Sequence, residues 1–192
     1  APQHPHPVFF EDCYAAMCWA YDNAEKLGID TSRIGIGGDS AGSTLAVGVC
    51  MMARDRKHPV KFSFQMLPYP FLDARNNSDS CKKFTDTPMW NSSLSSRITP
   101  MTKADKSRPD YVYYSPVEAD SFEGLPPAYI ETAEFDCLHD DGILYAELLR
   151  NAGIEVVLNE TKGTMHGYDI VQRSSVTKAS LETRIQFMKE HF

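Results

Sequence analysis

Between Ile34 and Gly42 the chain reads Ile-Gly-Ile-Gly-Gly-Asp-Ser-Ala-Gly, a short apolar run that breaks on a serine framed by glycines. A G-x-S-x-G pentapeptide of this kind places its serine on a sharp strand-to-helix turn, where large flanking side chains do not fit and the hydroxyl stands exposed above a sheet. Composition alone would produce the pattern roughly one time in fifteen in a chain of this length, so the neighbouring residues must decide. They agree with it. Arg33 leads into a strand from Ile34 to Gly37, and from Ala41 to Lys57 the residues Leu45, Ala46, Val47, Val49, Cys50, Met51, Met52 and Ala53 are apolar nearly all round, as in a covered central helix. Strand, turn and buried helix therefore follow in the order that a nucleophile elbow needs, and Ser40 becomes the candidate nucleophile.

The rest of the chain alternates in the same way. Phe10, Tyr14, Met17, Tyr21 and Ala24 recur at helical spacing before Gly28, which reads as a stop. A second strand is expected from about Val60 to Leu67, a third from Pro127 to Ala133 and a fourth from Val156 to Leu158. Ile143 to Ala152 is expected to form a helix closed by Gly153. The last helix carries Leu181, Ile185, Met188 and Phe192 at helical spacing. Strands alternating with helices imply an α/β fold with a mostly parallel sheet covered on both faces. Only Phe71 to Pro127 lacks sustained periodicity, and a stretch that long is expected to be functional or to hold short helices of its own. Within it, Thr87-Pro88 reads as an N-cap and first helical residue, starting a helix that bears Met89, Trp90 and Leu94. Trp90 there either belongs to a lid over a pocket or pins the insertion to the core.

At 192 residues, with 42% hydrophobic and 23% charged residues, the chain suits one globular domain. A formal charge of −7 argues against nucleic acid as a partner, and no apolar run is long enough to span a bilayer. The five cysteines are odd in number and irregularly spaced, which fits neither a disulfide framework nor a zinc site and points to a reducing, cytoplasmic setting. His4 and His6, between prolines, lack further ligands nearby in sequence, so no metal is expected there. The Gly35-x-Gly37 pair is a weak dinucleotide signal, because Ser40 stands where a third glycine belongs.

Reactive groups of a parallel α/β sheet gather at the carboxyl ends of its strands, and Ser40, Asp136 and His166 each follow one of the expected strands. A serine hydroxyl needs a base, and His166 is the histidine that follows the last strand, whereas His139 and His191 sit at or within helices. Asp136 would then hold the second imidazole nitrogen. Asp136 also suits a helix cap, and Asp136, His139 and Asp140 together suit a metal; acids at a helix start explain Asp140 and Asp141 more simply.

Gly38-Asp39-Ser40-Ala41-Gly42, Glu134-Phe135-Asp136 and His166-Gly167-Tyr168 resemble the three catalytic blocks of the hormone-sensitive-lipase-like family of α/β-hydrolase esterases. Tyr114-Ser115-Pro116, Gly124-Leu125-Pro126-Pro127 and the opening Ala1-Pro2-Gln3-His4-Pro5 are similar to further stretches of that family. The likeness is weakest from Phe71 to Tyr113, and Ser43 replaces a glycine common in the family's elbow. The resemblance implies the α/β-hydrolase fold and hydrolysis of short- to medium-chain carboxylic esters without a cofactor. It implies Ser40, Asp136 and His166 as the triad, the Ala41 N–H as an oxyanion donor, and a cap over part of the pocket; Asp39 and Trp90 are expected to contact substrate, with residues 71–114 as an insertion that forms a lid over the site. The family's His-Gly-Gly-Gly oxyanion stretch has no counterpart in these residues. One expectation is therefore a single partial domain, residues 1–192, completed by an N-terminal segment or a second chain. Each absent oxyanion donor costs about 2.7 to 4 kcal/mol of transition-state stabilisation, so alone this chain is expected to be a weak catalyst with an open edge at its first strand. A non-catalytic ligand-binding protein on a hydrolase scaffold, or one half of a split hydrolase, are the alternatives.

Overall fold

The computed structural model describes residues 2–192. Four strands form one sheet: β1 (Ile34–Gly37), β2 (Phe62–Pro68), β3 (Ala128–Phe135) and β4 (Val156–Met165), in the order β1-β2-β3-β4. All neighbours run parallel, with Met66 opposite Tyr129 and Tyr129 opposite Val157. Parallel neighbours require crossovers, and these supply the helical layers. In chain order the helices are α1 (Val8–Asp22), α2 (Ala24–Leu27), α3 (Ala41–Asp55), α4 (Asp79–Lys83), α5 (Ser92–Ile98), α6 (His139–Asn151) and α7 (Ser175–His191). The expected α/β architecture is present, with β4 running seven residues beyond the expected Leu158 to Met165.

Alternation along the strands sorts the two faces. Leu67, Ala128 and Ile130 meet Ala46, Val47 and Met51 of α3 and Tyr145, Ala146 and Leu149 of α6 in the main core. Phe64 and Tyr129 point the other way, onto Phe187 of α7. Truncating one of the fully buried aliphatics, such as Leu149→Ala, removes apolar contact and leaves a void, typically costing about 2–5 kcal/mol. α1 packs across α3 where Gly48 leaves room for the Phe10 ring; a Cβ on Gly48 would lie 2.4 Å from it. His6, 7% exposed, packs edge-on against Phe9, Phe10 and Tyr114, so its place is in an aromatic cluster.

Three local expectations are corrected. The first helix breaks at Asn23, where φ −102 and ψ 15 leave the helical region, before resuming as α2 and ending on left-handed Gly28. Thr87 does not cap a helix. Met89 has φ 68, the Thr87 hydroxyl donates to the Trp90 carbonyl at 2.8 Å, and the helix starts later, with Asn91 Oδ1 accepting from the Leu94 N–H at 3.0 Å. Finally, α7 turns Thr177, Ser180, Arg184 and Phe187 inward and leaves Leu181 and Ile185 exposed. The charged partner that draws Arg184 inward is Glu131.

The stretch from 71 to 127 holds α4, α5 and three 3₁₀ turns, and it is tied to the α/β core at its start. Asp141 on α6, 2% exposed, accepts from the Leu72 and Asp73 N–H groups, both at 3.1 Å through one oxygen. Burial raises its pKa well above the usual carboxylate range, against the two hydrogen bonds that lower it. The folded state therefore holds this proton more tightly than the unfolded chain, so the contribution to stability is fullest below the unfolded pKa and is lost as pH rises through the folded one. Each unit of that elevation corresponds to about 1.4 kcal/mol. Asp141→Asn keeps an acceptor for both N–H groups and removes the charge. Its melting temperature is expected to gain on the parent as pH rises from 4.5 to 7.5; a gap that narrows instead would refute the assignment.

Candidate active site

Three strand ends bring the expected residues together. Ser40 follows β1 by three residues, Asp136 directly follows β3, and His166 directly follows β4. Ser40 has φ 58 and ψ −120, a conformation that a residue with a side chain keeps only when its surroundings impose it. The imposing contacts are explicit. The Ser40 N–H donates to the Pro68 carbonyl at 3.1 Å, the Phe71 N–H donates back to the Ser40 carbonyl at 3.3 Å, and the Gly38 N–H donates to Met66 at 3.1 Å. Ser43, the departure from glycine, is fully buried, and its hydroxyl donates to the Gly38 carbonyl at 2.5 Å, bracing the turn from inside. Between the pentapeptide glycines, a Cβ on Gly38 would meet the Gly42 backbone at 2.5 Å, whereas one on Gly42 would meet nothing within 4 Å.

Ser40 Oγ lies 2.8 Å from His166 Nε2, and His166 Nδ1 lies 2.7 Å from Asp136 Oδ2. Asp136 is fully buried and His166 is 8% exposed, so water does not compete strongly for either link. The second Asp136 oxygen accepts from the Leu138 N–H at 3.0 Å, so the carboxylate is oriented from both sides. Asp136 thus takes part in the turn before α6 as well as facing the imidazole, while the N-cap position belongs to Leu138. Its neighbours pair elsewhere: Asp140 accepts from the Ser80 N–H at 2.8 Å and lies 3.0 Å from His139 Nδ1. Among the described residues no group of three His, Cys, Asp or Glu is arranged to hold a metal ion, and no helix is long and apolar enough to cross a membrane.

Ser40 and Ala41 open onto a cavity of about 320 Å³ walled by Phe71, Trp90, Tyr114 and Leu138, with Leu45 and Ile98 beyond. That volume and lining suit a small, mostly apolar ligand. Ala41 is the first residue of α3, where an N–H has no intrahelical acceptor and the helix dipole favours negative charge. Trp90 contributes to the wall, its ring centroid 6.1 Å from that of His166. Asp39 is not among the wall residues; partial desolvation, and then the nearby Asp169 carboxylate, raise its pKa.

Sequence reasoning did not single out Phe71, Leu138 or Tyr69. Tyr69 and Phe71 follow the carboxyl end of β2, the same positional signal that marked Ser40, Asp136 and His166, and Tyr69 sits at φ 35 with its ring edge-on to His166 at 4.9 Å. Leu138 carried no signal beyond its place after Asp136. Cys81 and Cys137 are buried together beside the acid turn; the hydrogen bond between the two thiols and, against desolvation, the Ser78 hydroxyl hold the Cys81 pKa below its ordinary value.

The family model described as alpha/beta hydrolase fold matches residues 1–170. The carboxylesterase NlhH of Mycobacterium tuberculosis is 38% identical over 172 residues, covering 88% of this chain and 53% of that protein. Arylacetamide deacetylase of Bos taurus is 28% identical over 227 residues, covering 87% of this chain and 57% of that protein. A bacterial heroin esterase superposes on 100% of this chain and 62% of its own, with a TM-score of 0.92 at 36% identity. The chain spans about half the length of the curated relatives it matches. With its parallel sheet, its serine elbow and these likenesses together, the chain belongs to the α/β-hydrolase fold family, in the hormone-sensitive-lipase-like branch whose sequence blocks it carries.

Proposed function

We propose that this chain carries the acyl-transfer machinery of a serine carboxylesterase acting on small esters with short to medium acyl chains. The observation that supports this most is the unbroken relay from Asp136 through His166 to Ser40, with links of 2.7 and 2.8 Å. In the proposed mechanism His166 carries its proton on Nδ1, donated to Asp136, which leaves Nε2 free to accept the Ser40 proton. Ser40 Oγ attacks the ester carbonyl as that proton leaves. The oxygen of the tetrahedral intermediate accepts from the Ala41 N–H at the start of α3. The imidazolium, stabilised by the buried Asp136 carboxylate, then protonates the departing alkoxide, and an acyl group remains on Ser40. Water, deprotonated by His166, attacks that ester, and the imidazolium returns the proton to Ser40 Oγ as the acid leaves, restoring the serine and the neutral imidazole.

The apolar cavity beside Ser40 and Ala41 would take the acyl chain, with Trp90 as part of its cover. In this reading the chain is one α/β unit, and residues 71–114 form a covering insertion. A fluorophosphonate probe is expected to label Ser40 and no other residue, and Ser40→Ala is expected to abolish labelling. Peptide mapping that finds the adduct elsewhere in folded protein would refute the assignment.

A further inference from the structure

On the sheet face covered by α7 lies a cluster of charged side chains that the relay does not use. Glu131, midway along β3, is fully buried. Its carboxylate accepts from the hydroxyls of Tyr129 at 2.8 Å and Tyr168 at 2.6 Å, and from Asn159 Nδ2 at 3.2 Å. The Arg184 guanidinium spans both of its oxygens, through Nη2 and through Nε at 3.4 Å. Arg184, 8% exposed, turns its remaining nitrogen to Asp169 at 2.9 Å. Asp169 in turn accepts from the Tyr69 hydroxyl at 2.7 Å, and it is the Tyr69 ring that abuts His166.

This cluster grips the loop after β4 at both Tyr168 and Asp169, two and three residues beyond the imidazole. It also grips Tyr69, whose own N–H donates to the Glu131 carbonyl at 2.7 Å. A buried ion pair adds little stability over apolar side chains of equal volume, so stability alone does not account for two carboxylates and a guanidinium here. What a forked guanidinium supplies instead is fixed geometry. α7 turns Ser180 and Arg184 toward this cluster, beside Phe187, while Leu181 and Ile185 stand 40% and 45% exposed.

We propose that Arg184, with Glu131 and Asp169, is a positioning clasp that holds the loop after β4 and the Tyr69 ring so that His166 stays aligned between Asp136 and Ser40. The inference rests on the triad reading above. None of Arg184, Asp169 and Tyr69 lines the cavity, so the clasp acts on turnover and leaves substrate binding alone.

Three variants test it beside Ser40→Ala. Arg184→Met removes the fork at similar length, Arg184→Lys restores the charge without the fork, and Tyr69→Phe deletes one hydroxyl while keeping the ring. The readouts are kcat and KM on a p-nitrophenyl ester, and the low-field proton resonance of His166 Nδ1–H, which reports its hydrogen bond to Asp136 without turnover. Displacing a catalytic group by about 1 Å costs on the order of 100-fold. Arg184→Met is accordingly expected to lose about 10- to 100-fold in kcat, with KM within about twofold, and to broaden the resonance. Arg184→Lys is expected to recover part of both, and Tyr69→Phe to show a smaller change in the same direction. Wild-type kcat and a sharp resonance in folded Arg184→Met overturn the clasp. If that variant does not fold, unchanged kcat and resonance in both Tyr69→Phe and Arg184→Lys overturn it. Failure of the triad reading is separately visible, as activity surviving in Ser40→Ala; an inactive Ser40→Ala beside normal clasp variants refutes the clasp alone.

Discussion

Asp136→Asn is expected to lower kcat by about four orders of magnitude while the protein stays folded. The reason lies in both oxygens of this carboxylate. One accepts from the Leu138 N–H at 3.0 Å, and the other faces His166 Nδ1 at 2.7 Å. An asparagine has one acceptor and one donor end. Keeping the Leu138 hydrogen bond puts the amide NH₂ against Nδ1, which then becomes the acceptor and moves the ring proton to Nε2, facing Ser40. The serine is left with no base. Turning the amide round restores the tautomer but sets two donors against each other in a fully buried site, where an unpaired donor costs about 1–3 kcal/mol. Single-turnover kinetics on the purified variant, with circular dichroism to verify the fold, measure the effect. A loss of tenfold or less would show that the Asp136 carboxylate does not orient the imidazole.

Gly38→Ala is expected to damage stability and activity together. The added Cβ would lie 2.5 Å from both the carbonyl carbon and the oxygen of Gly42, which belong to backbone and cannot rotate away. Relief requires α3 to move off β1 or the turn to open, and either movement breaks the contacts that hold Ser40 at φ 58. Overpacking of this kind typically costs about 1–3 kcal/mol, and more where backbone must yield. Gly42→Ala is the control, since a Cβ there meets nothing within 4 Å. Thermal melts and fluorophosphonate labelling of the two variants should separate clearly. Equal behaviour would mean that the close approach at Gly38 does not shape the elbow.

The placement of Ser40, Asp136 and His166 at three strand ends was readable from the chain because each rests on a local rule. A glycine-framed serine between an apolar strand and an apolar helix, and an acid and a histidine directly after strands, need only a few neighbouring residues to be recognised. The parallel α/β layout was readable for the same reason, since periodicity and stop signals act within a turn or two. Where local signals competed, local reading failed. Thr87-Pro88 has the composition of a helix start, yet Asn91 caps the helix, because the preceding residues fold back through the Thr87 hydroxyl and left-handed Met89.

What the residues determined by themselves is the order of elements and the kinds of side chain delivered to the strand ends. The tertiary structure alone decided which faces meet. α7 carries an apolar stripe that periodicity marks for burial, but its inward side is the one bearing Arg184, because Glu131, 53 residues away in sequence, lies fully buried on the facing sheet. Asp141 likewise shows its hold on Leu72 and Asp73 only once α6 lies across the end of β2. Local propensity acts over neighbouring residues, whereas pairing a buried charge is settled by whichever distant group the packed chain brings within reach.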